Sequence, residues 1–245
     1  MVKIIDHYGH WNKNRGKKAM LLDREIKSLN FISSVSHDKK SFIDLGSGNG
    51  DFLNIVKNKL PSLKLKGLDY SKSEVAEARK RGFDVQQGNF EEGIKIKSKS
   101  FDIAYAAEIL EHLYNTDLFL SETNRILKDG GYLILSTPNL LAWFNRILVP
   151  LGVQPLYVEL STKSKLIGSG PLKRLKKEPN PVGHVRVFTP DGLKDILEMN
   201  GFKIIKIRGA IYQEGLPKSL WQLDRILSSY TRLASDFVVL AKKVR

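Results

Sequence analysis

Apolar and polar positions along the first 140 residues follow two different periodicities. Five short runs have the length and pattern of strands: Ser41–Leu45, Leu63–Leu68, Phe83–Gln87, Phe101–Ala106 and Tyr132–Ser136. Helical spacing follows several of them, as after Leu45, where Phe52, Leu53, Val56 and Leu60 recur on one face. Strands that alternate with helices predict an α/β protein with a largely parallel sheet.

The segment from residue 187 onward continues the pattern. Thr189-Pro190-Asp191 predicts a helix start, with a cap followed by proline at the first position, and Asn200-Gly201 predicts its end. Phe202–Arg208 then reads as a strand, Ser219–Leu233 as a helix and Phe237–Lys242 as a final strand. Neither an internal repeat nor a second core is visible, which favours one domain.

Residues 140–186 interrupt this alternation. A helical face is formed by six apolar side chains: Leu140, Trp143, Phe144, Ile147, Leu148 and Leu151. Prolines and a glycine end that helix, and Ser161–Pro181 is rich in Lys, Gly and Pro with little periodicity. A long loop in a compact domain is usually functional or disordered, so we expect a lid.

Residues 1–40 read as an arm followed by a helix. Tyr8, His10 and Trp11 stand among polar neighbours, so the arm is either a flap over a ligand or an anchor on the core. Apolar periodicity between Lys17 and Val35 predicts a helix ahead of the first strand.

Composition excludes several classes of protein. The 245 residues contain no cysteine, so disulfides, thiolate metal sites and cysteine nucleophiles are absent. Hydrophobic residues make up 42% of the chain, yet no apolar run approaches the ~20 residues that span a bilayer, and no signal peptide is recognisable. We expect a cytoplasmic protein, or one at the membrane periphery.

The net charge of +14 is unevenly distributed. Residues 41–139 carry 13 basic and 14 acidic side chains, whereas residues 140–186 carry eight basic and two acidic ones, a net charge of +6. This local excess indicates an anionic partner such as phosphate, a lipid headgroup or RNA, or simply a solvated lysine-rich surface.

A glycine-rich turn connects the first predicted strand to the next helix. The stretch Asp44-Leu45-Gly46-Ser47-Gly48-Asn49-Gly50 combines a strand end with three glycines, which let a ligand approach the backbone at a helix N-terminus. Asp69 follows at the end of the second strand, where an acid suits the two hydroxyls of a ribose. Together they predict a nucleoside site.

The spacing does not fit a dinucleotide fingerprint. That motif requires G-x-G-x-x-G/A, whereas this chain has G-x-G-x-G, with Asp51 in the place of the last small residue. The glycine stretch, Glu108-Ile109-Leu110-Glu111-His112 and His184-Val185-Arg186-Val187-Phe188-Thr189 closely resemble motifs of the class I S-adenosylmethionine-dependent methyltransferases. The pattern is most similar to small-molecule O-methyltransferases of the quinone-biosynthesis type.

This resemblance implies a fold and a division of the chain. The fold is a Rossmann-like, doubly wound, seven-stranded and mostly parallel α/β sheet, whose last strand is antiparallel and inserts beside strand five. We expect one domain with residues 1–40 as arm and helix, 41–139 as cofactor-binding core, 140–186 as basic lid and 187–245 as the C-terminal part of the sheet.

The resemblance also implies the cofactor, S-adenosylmethionine, with S-adenosylhomocysteine as product. Asp69 meets the ribose, and Asn89 meets the adenine amino group. The full set expected to bind the cofactor is Asp44, Gly46, Ser47, Gly48, Asn49, Gly50, Asp69, Tyr70, Asn89, Phe90, Ala106 and Glu108.

Methyl transfer from a sulfonium requires alignment of the acceptor and removal of its proton. His112, after strand four, and His184, after the insertion, are candidates for a base, with Glu111 as their acidic neighbour. Each histidine is alternatively a packing or capping residue, and Arg186 suits an anionic group. We expect no metal, because Asp102 begins its strand away from the active edge.

Two classes of acceptor remain. A small-molecule or lipid-linked acceptor is favoured, with O-methylation by in-line displacement. An RNA acceptor recruited by the basic residues 140–186 is the alternative. It is less favoured because Ala106-Ala107-Glu108-Ile109 lacks the prolines of enzymes that methylate base amines, and because carbon-5 pyrimidine methylation needs cysteine. A non-catalytic binding protein is disfavoured by the intact glycine loop.

The apolar face and lysines of residues 140–186 also fit contact with an anionic membrane surface. A helix buried in its own domain would carry the same apolar stripe, so the direction in which the stripe points distinguishes the two interpretations.

Overall fold

A seven-stranded sheet forms the centre of the computed structural model, which describes residues 21–38, 40–174 and 180–244. Its strands are β1 (Ser41–Leu45), β2 (Lys64–Asp69), β3 (Val85–Gln87), β4 (Phe101–Ala107), β5 (Leu127–Pro138), β6 (Phe202–Ala210) and β7 (Asp236–Lys243). Their order is β3-β2-β1-β4-β5-β7-β6. Strands β1 to β5 pair in parallel, and β7 runs antiparallel to both neighbours. The predicted fold, including the antiparallel last strand beside β5, is confirmed.

Helices cover both faces of this sheet. They are α1 (Asp23–Val35), α2 (Asp51–Lys59), α3 (Lys72–Lys80), α4 (Thr116–Ile126), α5 (Trp143–Leu148), α6 (Pro190–Met199) and α7 (Trp221–Leu227). Apolar residues of α1, α2 and α3 pack into a core on one face, and those of α4 and α6 pack into a core on the other. The sheet is therefore buried on both sides, as its apolar strands require. No helix among the described residues has the length and apolar content needed to cross a bilayer.

Local side chains set several helix starts. The hydroxyl of Ser71 accepts a hydrogen bond from the backbone N–H of Glu74 at the start of α3, and Thr189 caps α6 through the N–H of Gly192. Both caps agree with the sequence patterns.

Two element boundaries differ from the sequence prediction. Strand β5 begins at Leu127 rather than at Tyr132, and the β4–β5 register shifts between these two residues. Helix α7 covers only Trp221–Leu227 of the expected Ser219–Leu233. The arm that includes Tyr8, His10 and Trp11 lies outside the described residues, as does the start of the helix expected from Lys17.

The apolar stripe of the insertion divides into two parts. Helix α5 has six residues, and its Trp143 and Phe144 pack in an aromatic cluster with Tyr157 and Tyr212. Ile147 and Leu151 point outward and are 53% and 71% exposed. The stripe thus packs into the domain through Trp143 and Phe144 and is exposed at Ile147 and Leu151.

Asp224 fastens this insertion to the C-terminal part of the chain. The carboxylate is fully buried and accepts hydrogen bonds from the indole N–H of Trp143 (2.9 Å), the backbone N–H of Tyr212 (2.7 Å) and the hydroxyl of Ser235 (2.6 Å). One buried acid therefore joins α5, the segment after β6 and the turn before β7.

Replacing Asp224 by Ala should lower the free energy of unfolding by about 2–5 kcal/mol, because each donor left buried without a partner costs ~1–3 kcal/mol. Urea denaturation followed by circular dichroism measures this loss. Asp84→Ala is the matched control: Asp84 is 65% exposed and pairs with Lys66 at the surface, so its loss should change stability by less than ~1 kcal/mol. Equal stabilities of the two variants would contradict the role assigned to Asp224.

Candidate active site

The glycine loop turns tightly between β1 and α2. Gly46, Gly48 and Gly50 have φ of +90°, +51° and +85°, values that favour glycine. The N–H groups of Gly46 and Ser47 both donate to the carbonyl oxygen of Leu68 in β2. A Cβ at Gly46 would lie only 2.3 Å from the side chain of Ile109. The loop is thus packed between the ends of β2 and β4.

Asp69 fastens the loop to the end of β2. One carboxylate oxygen accepts from the N–H of Gly48 (2.7 Å) and the other from the N–H of Ser71 (2.8 Å). Because a carboxylate offers about four lone-pair directions, it can accept ribose hydroxyls in addition to these two bonds.

A cavity of about 750 Å³ opens at this edge of the sheet. The glycine loop and Asp69 form one side of it, and Glu111, His112 and His184 belong to the same lining. Ligand cavities generally measure ~300–1,000 Å³, so the space can hold a cofactor together with an acceptor.

The insertion closes part of the cavity. Residues 157, 159–162 and 181–185 line it, including Tyr157 and Glu159. The carboxylate of Glu159 accepts from the N–H groups of Val182, Gly183 and His184 (2.8–3.2 Å), which holds the returning chain in place. The insertion therefore contributes to the lining of the cavity through these two stretches and Tyr157.

The lining of the cavity is acidic although the chain is basic. Ten carboxylate residues line it: Glu25, Asp44, Asp51, Asp69, Glu74, Glu91, Glu108, Glu111, Glu159 and Glu214. Among the described residues of the lining, Arg24 is the one Lys or Arg side chain, and it lies 2.7 Å from Glu214 and 3.9 Å from Glu108. Such a cavity attracts cations.

Burial raises the pKa of three of these acids, Asp44, Glu108 and Glu111. It raises the pKa of Asp44 well above the ordinary value, and the neighbouring charges of Asp69 and Glu25 raise it further. Burial also raises the pKa of Glu108, although Arg24 and the hydroxyl of Ser136 oppose the shift. A bound cation would relieve this cost. S-adenosylmethionine carries a sulfonium and an ammonium, so the residues present fit it.

His112 and His184 meet at the opposite side of the cavity. Their rings lie 4.9 Å apart, with an angle of 62° between the planes. Nδ1 of His112 is 3.1 Å from the carbonyl oxygen of Gly183, and Nδ1 of His184 is 3.0 Å from that of Tyr157. Because a carbonyl only accepts, each Nδ1 carries a proton, and in His184 the ring's lone pair is left on Nε2.

The pKa of His184 is lowered to about 3, chiefly by burial and secondly by His112, while the bond to Tyr157 partly offsets the shift. Its ring is therefore neutral at physiological pH. Burial and the charge of Glu108 raise the pKa of Glu111, whose side chain is fully buried.

Two lining residues have unusual backbone conformations. Glu108 has φ of +53° and Tyr157 of +77°. Non-glycine residues in this region are uncommon and cluster at functional sites. The conformation of Glu108 presents its carboxylate to the cavity, and that of Tyr157 places the carbonyl oxygen that contacts His184.

The structure separates some predicted site residues from the cavity. Ala106 is buried in the core, and Ala107 lines the cavity in its place. Gly50 caps α2 and faces Phe83, whose ring would lie 2.8 Å from an added Cβ. The other predicted cofactor and catalytic residues line the cavity.

Asp102 lies at the start of β4, away from the cavity. Partial burial would raise its pKa, but hydrogen bonds from Ser41 and Lys128 lower the pKa to about 2. Sequence reasoning missed Arg24, Tyr157, Tyr212 and Glu214, which reach the cavity from α1, the insertion and the segment after β6. Of these four residues, only Tyr157 had a signal in the sequence, namely the spacing of aromatic residues in the insertion.

The glycine loop, the acid at the end of β2 and the antiparallel last strand define a class I S-adenosylmethionine-dependent methyltransferase. A family model described as "methyltransferase domain" matches residues 14–207, and the chain belongs to this family. The enzyme class, S-adenosylmethionine as cofactor and S-adenosylhomocysteine as product are thereby confirmed.

Curated relatives carry similar names. A probable S-adenosylmethionine-dependent methyltransferase of Mycolicibacterium smegmatis is 25% identical over 179 residues, covering 72% of this chain and 57% of the relative. A ubiquinone biosynthesis O-methyltransferase of Nitrosococcus oceani is 29% identical over 138 residues, covering 53% and 57%. The match thus spans little more than half the length of each relative.

Solved structures share the fold. A Thermotoga maritima S-adenosylmethionine-dependent methyltransferase, titled a possible histamine N-methyltransferase, superposes with a TM-score of 0.58 at 20% identity and covers 89% of both chains. The [4+2]-cyclase SpnF superposes with 0.59 at 16% identity, covering 90% of this chain and 81% of its own. Because one scaffold carries both titles, the fold does not specify the reaction.

Asp69→Ala should weaken binding of S-adenosylhomocysteine by ~1.5–3 kcal/mol, the range for a hydrogen bond to a charged group. Isothermal titration calorimetry measures the change. Asp129→Ala is the matched control, because Asp129 is exposed at the opposite edge and pairs with Lys99. Tight binding of NADH, or unchanged affinity in Asp69→Ala, would contradict the assignment.

Proposed function

We propose that the chain methylates a hydroxyl group of a small-molecule or lipid-linked acceptor. The observation that carries this proposal is the single cavity that contains both the glycine loop with Asp69 and the cluster Glu111–His112–His184. A donor and an acceptor can therefore occupy one enclosed space, with the acceptor at the histidines. The relative from Nitrosococcus oceani, named as an O-methyltransferase of ubiquinone biosynthesis, supports this acceptor class.

S-adenosylmethionine supplies an activated methyl group on a sulfonium. The chain then has to hold donor and acceptor in line and remove the proton of the acceptor. Asp69 and the loop around Gly48 would hold the nucleoside. Buried Asp44 and partly buried Glu108 would stabilise the positive charge of the cofactor. Tyr157 and Glu159 from the insertion help to exclude water.

The histidine base predicted from the sequence is best represented by Nε2 of His184. The bond from Nδ1 to Tyr157 fixes the ring so that this lone pair is available to accept the hydroxyl proton. With a pKa of about 3, however, His184 is a weak base, better suited to orienting a hydroxyl than to ionising it.

The acidic lining favours a neutral or cationic acceptor over RNA. A cavity lined by ten carboxylate residues and one arginine would repel phosphate groups. Phosphates could enter only if those acids took up protons. The basic residues of the insertion therefore suit an anionic surface outside the cavity better than a nucleotide inside it.

His112→Ala and His184→Ala should each lower turnover by ~10²–10⁴, the scale expected when a group that positions the reacting hydroxyl or accepts its proton is removed. Affinity for S-adenosylhomocysteine should hold, because the histidines lie on the acceptor side. A panel of phenols and catechols with labelled cofactor measures turnover, and His37→Ala, an exposed histidine outside the cavity, is the control. Full turnover in both active-site variants would exclude a histidine role.

We also propose that the insertion contacts an anionic membrane surface. Several apolar side chains there are about half exposed or more, namely Ile147, Val149, Leu151, Leu160 and Ile167. Lys163, Lys165 and Lys173 belong to the same segment. Apolar side chains beside lysines are typical of peripheral membrane segments, and the position at the cavity would give access to a lipid-linked acceptor.

Vesicle co-sedimentation tests this contact. Binding to anionic but not neutral vesicles is expected, since each basic residue near such a surface contributes ~1 kcal/mol. It should be lost in Ile147→Ser with Leu151→Ser and retained in Ile226→Ser with Tyr230→Ser, which are exposed elsewhere. Equal failure to bind either kind of vesicle would refute the contact.

A further inference from the structure

Three potential metal ligands converge on one wall of the cavity. A carboxylate oxygen of Glu111 and ring nitrogens of His112 and His184 all lie within 4.8 Å of one another. We propose that these three residues bind one divalent transition-metal ion that activates the acceptor hydroxyl. The activating role rests on the proposed function, whereas binding of the ion does not.

The separations are close to those of an assembled site. Nε2 of His112 lies 3.9 Å from Oε1 of Glu111. Bonds of ~2.1 Å in a tetrahedral or octahedral site place neighbouring ligand atoms ~3–3.5 Å apart. Side-chain shifts of about 1 Å or less per residue would close the difference.

The imidazoles are oriented as metal ligands usually are. A ligating histidine normally donates its other N–H to a carbonyl or carboxylate, which sets its tautomer and ring orientation. Gly183 and Tyr157 provide such carbonyls for His112 and His184. Coordination through Nε2 therefore requires no change of tautomer at either ring.

Glu111 provides independent support. Its side chain is 0% exposed, and its Oε1 has no hydrogen-bond partner among the described residues. The other oxygen, Oε2, accepts from the hydroxyl of Thr137 (3.0 Å), which holds the carboxylate in place. A buried polar atom without a partner is costly, and a cation at this point would satisfy it.

Backbone bonds hold the three ligands together. The N–H groups of Val185 and Arg186 both donate to the carbonyl oxygen of Glu111 (2.9 and 3.1 Å). The guanidinium of Arg186 donates to the carbonyl oxygens of Leu113 and Tyr114. The segment with His184 is therefore anchored on both sides of the turn with Glu111 and His112.

Two imidazoles and one carboxylate favour an ion such as Zn²⁺, Mn²⁺, Fe²⁺ or Co²⁺ over Mg²⁺ or Ca²⁺, which prefer oxygen ligands. Three protein ligands leave coordination positions open, as in catalytic rather than structural sites. These positions would face the cavity, where the acceptor is expected.

The ion would activate the acceptor hydroxyl for loss of its proton. Coordination lowers the pKa of a hydroxyl, so the O–H bond breaks and the proton passes to solvent. The acceptor oxygen then forms its bond to the methyl carbon while the S–C bond breaks, and that electron pair remains on sulfur in the thioether product. No oxidant or further reactant is required.

The test begins with protein treated with a chelator and dialysed. Titration with Co²⁺ should give one bound ion per chain with visible d–d absorption, and Zn²⁺ should displace it. His184→Ala and Glu111→Gln should weaken Co²⁺ binding by more than roughly 10–100-fold, the loss seen even for outer-shell changes. His37→Ala should bind like wild type. Retained binding of S-adenosylhomocysteine shows that each variant is folded.

The same measurements separate the two proposals. If metal-free wild-type protein binds Co²⁺ and Zn²⁺ no better than His184→Ala does, the proposed metal site is overturned. If that metal-free wild-type protein still has full turnover, the methyltransferase proposal remains intact. Turnover lost on chelation and restored by one of these ions supports both. If the ion binds but no acceptor in the panel is methylated, the metal site is supported and its role in activating the acceptor is refuted.

Discussion

The pair of hydrogen bonds from Val185 and Arg186 to the carbonyl oxygen of Glu111 is the contact on which the acceptor side of the site depends. It returns the chain from the insertion to the carboxyl end of β4 and so places His184 beside His112. The carboxylate of Glu159 reinforces it by binding the N–H groups of the preceding residues. Backbone bonds of this kind depend little on side-chain identity, so the insertion can vary while the ends that hold the site are maintained.

The cofactor side was predictable from the sequence because its determinants are local. The strand–loop–helix around Gly48 and the acid at the end of β2 lie in short segments whose pattern and spacing already specify their neighbours. The acceptor side was less predictable, because Tyr157, Tyr212 and Arg24 meet there only through tertiary packing. The predicted end of α7 was wrong for a related reason. Apolar periodicity continues past Leu227, but the structure forms a turn from the residues that follow.

Net charge and local charge have opposite signs in this protein. The chain as a whole carries +14, but the cavity is lined by carboxylates at the ends of the central strands. Solvent screens lysines at the surface over about 10 Å, whereas buried acids act across a low-dielectric interior. The overall charge therefore influences which molecules approach the protein surface, whereas the charge of the cavity determines which ligands can enter it. A basic chain is on this account compatible with a cationic cofactor.

The position of β7 has a consequence for synthesis. This strand lies between β5 and β6 in the sheet but follows both in the chain. During synthesis, β6 therefore leaves the ribosome before β7, the strand that connects it to the sheet, has been made. Until then β5 has an open edge of unpaired backbone groups, which is prone to pairing with other chains. Closing the sheet requires contacts between distant segments and is intrinsically slow. A nascent chain that stalls before residue 236 would thus expose the open edges of β5 and β6 at once, and would be a natural client for chaperones.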